Sequence, residues 1–112
     1  MSIEFRIDGL EDALRKIDEM KQGLTLPYLD FWCKRISNEV RLNTSDELGG
    51  NFLLEVTLSE AQNPRFDFRS PPELLEITIN IIRKYLNEMP ITTRALFKNL
   101  IKIIQSKKKE SE

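Results

Sequence analysis

Few side chains in this sequence could carry out chemistry. The chain has no histidine, which is the usual general base and the commonest metal ligand, and a single cysteine, Cys33. One cysteine cannot build a zinc–thiolate cluster or an intrachain disulfide. Cys33 follows Trp32 on an apolar helical stripe, which predicts a buried small apolar residue and not a nucleophile. We therefore predict no catalytic residue, no metal site, no cofactor and no small-molecule substrate.

Acidic residues occur in two places where a cation could bind. Four of them fall in the first predicted helix, namely Glu11, Asp12, Asp18 and Glu19. Their basic neighbours Arg15 and Lys16 indicate a solvated helix face with ion pairs instead. Asp46 and Glu47 fall in a predicted loop, but no regularly spaced set of oxygen ligands surrounds them. Gly49-Gly50 lacks the Lys-Ser/Thr that follows in a phosphate-binding loop.

Basic residues recur every four positions on the last predicted helix, at Arg94, Lys98 and Lys102. We expect this stripe to lie opposite the apolar side. A solvated face, whose cations suit the C-terminal end of the helix dipole, is the interpretation we favour. Contact with an anionic partner, either nucleic acid or an acidic protein surface, is the alternative, although no aromatic residues alternate with the bases.

Aromatic side chains are abundant for so short a chain. The candidates for a protein interface are Tyr28, Phe31, Trp32, Phe66 and Phe68. Part of this apolar surface could remain exposed and form a self-association face. A well-filled core is an equally good interpretation.

The elements that position these residues follow from periodicity. Alternation predicts strands over residues 3–7, 52–58 and 65–69, and helical spacing predicts helices over residues 8–23, 25–43, 70–89 and 92–106. Ser70 and either Thr92 or Thr93 are predicted helix caps. Gly49-Gly50 is predicted to be a hinge, since glycine permits positive φ. The order β-α-α-β-β-α-α predicts an α+β fold, in which four helices pack on a small antiparallel sheet of about three strands.

Length and composition predict one soluble domain. The chain has 112 residues, of which 40% are apolar and 31% charged. We expect a domain over residues 1–106 and a frayed charged tail over 107–112. A net charge of −1 recruits neither nucleic acid nor membrane on average. The N-terminus has no signal-peptide pattern, and no apolar run approaches about 20 residues, so we expect cytoplasmic synthesis and no membrane partner.

The N-terminal half carries a family resemblance. It opens with "IEFRIDGLEDALRKIDEMKQGL", in which Gly9, Leu10 and Glu11 form a Gly-Leu-acidic step between a strand and a helix. A later segment, "NTSDELGGNFLLEV", places Thr44, Gly49 and Phe52 near a hinge that leads into a strand. In these features the chain resembles the small tail-completion proteins of tailed bacteriophages, found near the head–tail junction.

The resemblance implies a non-enzymatic part of the virion tail. Such a protein works as a ring of copies between neighbouring virion proteins, and no catalytic residue is carried over. We therefore expect a homo-oligomeric structural subunit that is made in the cytoplasm and ends in the virion. The alternative is a small nucleic-acid-binding or regulatory protein that uses Arg94, Lys98 and Lys102.

Overall fold

A computed structural model of the chain describes residues 2–7, 26–58 and 64–111. The strands are β1 (Ile3–Ile7), β2 (Leu53–Leu58) and β3 (Pro64–Ser70). The helices are α1 (Leu26–Leu42), α2 (Asp46–Gly49), α3 (Leu75–Tyr85) and α4 (Ile91–Ser111), and 3₁₀ turns at Pro72–Leu74 and Leu86–Glu88 flank α3. The predicted α+β class, a three-stranded antiparallel sheet with four helices, is confirmed. The helix predicted over 8–23 lies outside the described residues.

The sheet has the order β1-β3-β2, so the last strand in the sequence is the central one. Phe5 pairs with Phe68, which pairs with Leu54 on the other side. These side chains belong to the face that packs on the helices. The alternate positions, such as Arg6, Asp67 and Glu55 on the opposite face, are charged. This alternation is typical of an antiparallel sheet with one buried face.

The core joins this apolar face to α1, α3 and α4. Phe66 of β3 is fully buried, and its ring centroid lies 5.4 Å from that of Phe97 in α4. The buried hydroxyl of Ser37 in α1 shares its single proton between the Cys33 carbonyl at 2.7 Å and the Leu54 carbonyl at 3.3 Å. The contact with Leu54 links α1 directly to the edge strand β2.

The predicted Gly-Gly hinge is a short helix. Ser45 caps α2 by accepting a hydrogen bond from the Leu48 N–H, and Gly50 follows with φ −68°, so the positive φ that glycine permits is not used there. Arg41 of α1 donates to the carbonyls of Gly49 at 3.3 Å and Phe52 at 2.8 Å. The carbonyl groups of Gly49 and Phe52 therefore hold this segment against α1. This arrangement does not require a left-handed backbone at Gly50.

Residues 70–89 form a helix between two 3₁₀ turns and not one continuous helix. The predicted cap at Ser70 is wrong, because Ser70 ends β3 and its buried hydroxyl donates to the Pro71 carbonyl at 2.8 Å. Pro71 and Pro72 begin a 3₁₀ turn, and the α-helix starts only at Leu75. The isoleucine-rich segment is helical, as predicted.

The last helix is longer than predicted. It begins at Ile91, directly after Pro90, whose carbonyl accepts from the Arg94 N–H at 2.8 Å. Thr93 is buried in the first turn, so the predicted start at Thr92 or Thr93 is one to two residues late. The frayed tail predicted for 107–112 is helical as far as Ser111. Lys108 pairs with Glu76 of α3, which holds this end of α4 against the domain.

Candidate functional site

The one cysteine is inert in this fold. Cys33 is buried at 1% exposure, and burial, together with the negative charges of Asp30 and Glu55, raises the pKa of its thiol well above the ordinary value. A protonated, enclosed thiol is a poor nucleophile. Within residues 2–7, 26–58 and 64–111, no three His, Cys, Asp or Glu side chains are grouped as metal ligands would be. The acidic residues at 11, 12, 18 and 19 lie outside that part, and Asp46 and Glu47 are exposed on α2.

Most of the aromatic interface candidates belong to the core. Trp32, Phe66 and Phe68 are at most 3% exposed, so the core interpretation is correct for these three and they present no face to a partner. Phe31 is 49% exposed and packs edge-on against Trp32, with ring centroids 5.1 Å apart. The side chain of Tyr28 lies outside the described residues.

Exposed apolar side chains occur at positions that the sequence analysis did not single out. Leu42 is 84% exposed and Ile91 is 80% exposed. Leu42 stands eleven residues after Phe31, which is three helical turns, so both lie on the same face of α1. Periodicity does not distinguish Leu42 or Ile91 from core residues, because each stands at a helix end where the apolar stripe could continue.

The three predicted basic residues of α4 have different surroundings. Arg94 turns back and donates to the carbonyls of Leu86 at 2.9 Å and Met89 at 3.1 Å. It therefore satisfies carbonyl groups at the end of the preceding 3₁₀ turn. Lys98 and Lys102 are exposed, and neither forms an ion pair with any of the described residues.

The longer helix adds a third lysine to this face. Lys109 is exposed and stands seven residues, or about two turns, after Lys102. We call Lys98, Lys102 and Lys109 the basic stripe. Lys109, together with Gln105 and Lys108, also lines a shallow groove of about 280 Å³ between α4 and α3. Lys109 was missed because its segment was predicted to be frayed.

Charge is divided unevenly between α4 and the rest of the chain. Residues 91–111 contain six basic residues and one acidic residue. Subtracting these from the totals of 17 and 18 leaves 11 basic and 17 acidic residues elsewhere. The helix thus carries +5 and the remainder −6, although the whole chain is nearly neutral.

An acidic depression lies beside α2. It has a volume of about 270 Å³ and is lined by Ser2, Glu47, Leu48, Asn51, Pro71 and Glu73. We call it the α2 depression. Its lining contains two carboxylates and no basic side chain, and neither Glu47 nor Glu73 has an ion-pair partner among the described residues. Asp46, which is also exposed, precedes Glu47 on α2.

The outer face of the sheet is charged but internally compensated. Asp67 on the central strand pairs with Arg6 at 3.2 Å and with Arg65 at 3.4 Å, and it accepts a hydrogen bond from the Thr57 hydroxyl at 3.0 Å. Charges that already neutralise one another produce little net electrostatic field to attract a partner. We therefore do not place the functional surface on this face.

Charged and aromatic groups join α1 to α3. Lys84 donates to Glu39 at 2.6 Å, and the Arg35 guanidinium lies 4.9 Å from the Tyr85 ring centroid and 5.8 Å from that of Trp32. Hydrogen bonds from Lys84 and then Tyr85 lower the pKa of Glu39. The hydrogen bond to Glu39 raises the pKa of Lys84. These contacts join α1 to α3, and they do not involve the lysines of the basic stripe.

None of the described helices is both long and apolar enough to cross a membrane. Comparisons with protein-family models, with curated proteins and with solved structures gave no significant match.

Proposed function

We propose that this protein is a non-enzymatic structural subunit that acts as a homo-oligomer, as a component of a phage or prophage tail near the head–tail junction. The observation that carries the proposal is the division of charge: a helix of +5 attached to a remainder of −6, with exposed charges on both that have no partner within the described residues. Surfaces of this kind attract complementary surfaces and orient them before contact.

The described surface favours contacts over chemistry. Its depressions are shallow and lined by charged side chains, whereas small-molecule sites are typically deep and largely apolar. Leu42 and Ile91 add exposed apolar area outside the charged groups. Together these features fit a subunit whose neighbours cover part of its surface.

The assignment to a phage tail rests on the N-terminal resemblance. The strand of that opening is β1, and the hinge-like segment that contains Thr44 and Gly49 runs through α2 into β2. Its position in the chain supports the resemblance, which implies copies of the subunit arranged between neighbouring virion proteins.

Nucleic-acid binding is the competing function, and Lys98 and Lys102 favour it because both are exposed. Two observations oppose it. The remainder of the chain carries −6, which repels phosphate, and no aromatic side chain stands between the lysines to stack on bases.

Sedimentation velocity at micromolar concentration tests the proposal. We expect oligomers of defined size, and we expect genes for portal, capsid or tail-tube proteins beside the coding sequence. A strict monomer, both alone and mixed with the products of neighbouring genes, would overturn the proposed function.

A further inference from the structure

We infer that the basic stripe of α4 docks on the α2 depression of a second copy of this chain. The inference rests on the proposed function, since it names the surfaces through which the subunit associates with itself.

The basic stripe presents a row of cations in fixed order. Lys98 and Lys109 are eleven residues apart on one continuous helix, which places them about 16 Å apart along its axis. All three lysines are exposed and lack ion pairs among the described residues. Nearby cations are already used within the subunit, because Arg94 binds carbonyls and Lys108 pairs with Glu76.

The α2 depression has complementary chemistry. Glu47 and Glu73 can accept from ammonium groups, and Leu48 and Pro71 supply apolar surface for the methylene stems of lysine. Ser2 and Asn51 add neutral polar groups at the same surface. A lysine entering it would find both a counter-charge and a place for its hydrocarbon chain.

A second copy fits this pair of surfaces better than nucleic acid does. No ion pair joins the stripe to the depression within one subunit in the described part of the chain. As far as the described residues show, each copy therefore offers one basic surface and one acidic surface without ion pairs. A nucleic acid would satisfy only the lysines and would bring its phosphates near a remainder of −6.

The inference is tested by reversing charge on each surface separately. One variant is Lys98→Glu/Lys102→Glu, and the other is Glu47→Lys/Glu73→Lys. The control for the first is Lys34→Glu/Arg69→Glu, which changes net charge equally at exposed positions on α1 and the sheet. Lys98→Gln/Lys102→Gln serves as a milder second variant, and circular dichroism and thermal melting confirm folding in each.

Self-association is measured by sedimentation velocity at about 50 mM and about 500 mM NaCl, since contacts between exposed charges weaken as the screening length falls. We expect the wild-type protein and the control to associate, with a dissociation constant at least tenfold higher at the greater salt concentration. Each reversed variant alone should be monomeric. An equimolar mixture of the two should associate again, because each retains the surface that the other lacks.

Three results would contradict the inference, and they have different consequences. If the variants associate like the wild type at both salt concentrations, the inference is overturned and the proposed function survives with its contact elsewhere. If the wild-type protein alone is monomeric at both salt concentrations, the inference fails, and if it is also monomeric when mixed with the products of neighbouring genes, the proposed function fails with it. If the wild type is monomeric but binds a short DNA duplex, and Lys98→Gln/Lys102→Gln weakens that binding tenfold or more, the stripe serves nucleic acid and the inference is wrong.

Discussion

Phe31 and Trp32 are neighbours in the sequence but occupy different environments on α1. Trp32 is 3% exposed and lies 5.8 Å from the Tyr85 ring, measured between centroids, whereas about half of Phe31 is exposed. Removing a buried indole leaves a cavity that the surrounding core fills only in part. Removing a half-exposed ring loses less apolar burial and leaves a site that solvent can enter.

We expect Trp32→Ala to lower the free energy of unfolding by about 3–5 kcal/mol. Phe31→Ala should cost about 1 kcal/mol, since roughly half of the side chain's burial is lost. Urea denaturation at neutral pH, on dilute protein to limit association, measures both. Equal losses in the two variants would contradict the different burial of these side chains.

Glu39 makes the stability of the α1–α3 pair depend on pH. Its pKa in the folded protein is lowered by hydrogen bonds from Lys84 and Tyr85. A carboxyl group whose pKa falls on folding contributes stability above its unfolded pKa, about 4.3, and loses that contribution as the pH drops through the folded value. Because Lys84 is 60% exposed, solvent screens part of the interaction.

Glu39→Gln should therefore be less stable than the wild type at pH 7, and the difference should shrink below about pH 4. Thermal melting from pH 7 to pH 3 measures this difference. Glu4→Gln is the control, because Glu4 is exposed on β1 and forms no ion pair among the described residues. A difference that stays constant with pH would show that the ion pair does not contribute.

The side-chain roles were only partly predictable. The apolar neighbours of Cys33 sufficed to predict its burial. Nothing in the sequence separates Phe31 from Trp32, because adjacent apolar residues at the edge of a broad stripe can each face the core. Arg94 binds the carbonyls of Leu86 and Met89, eight and five residues earlier in the chain. A 3₁₀ turn sets the direction of these carbonyls, and hydrophobic periodicity does not reveal such a turn.

At the scale of the elements, the strands and the long helices could be predicted from hydrophobic periodicity, whereas the ends of the helices could not. All three strands lie where alternation predicted them, with boundaries shifted by a residue or two. The end of α4 was missed because a short charged segment at the end of a domain is usually frayed. In the folded protein Lys107 pairs with Glu110 at 3.6 Å and Lys108 pairs with Glu76 of α3, and these contacts hold the last turns in the helix.

Lys109→Pro tests the length of α4. Proline there removes a helical hydrogen bond and clashes with the preceding turn, so it should lower stability by up to about 3 kcal/mol and reduce the helical circular dichroism signal. Lys109→Ala, which keeps the helix, is the control. If 107–112 were a disordered tail, the proline variant would unfold at the same denaturant concentration as the control.

At the scale of the whole molecule, the sheet combines a local and a distant pairing. β2 and β3 are close in the sequence, whereas Ile3 of β1 pairs with Ser70. Closing the longer loop costs more chain entropy, so the β2–β3 pair is expected to form first. This order could not be predicted from the sequence alone, because periodicity identifies strands without saying which of them pair.

Phe5→Ala should therefore act mainly on unfolding. Phe5 stacks on Phe68 with ring centroids 4.8 Å apart, and the substitution should cost about 1–3 kcal/mol, seen as faster unfolding with nearly unchanged folding. Val56→Ala, at the β2–β3 pairing, should slow folding instead. Stopped-flow measurements across a denaturant series separate the two effects, and a slower folding rate for Phe5→Ala would reverse the assigned order.

The position of β3 at the centre of the sheet also matters during synthesis. β1 leaves the ribosome first, but the strand that pairs with it is complete only 63 residues later, at Ser70. At ordinary rates of translation the nascent chain carries an unpaired β1 for roughly 3–13 seconds. Throughout that interval the backbone groups of β1 can pair with another nascent chain. Exchange of β1 between copies would therefore begin on polysomes, where nascent chains lie close together.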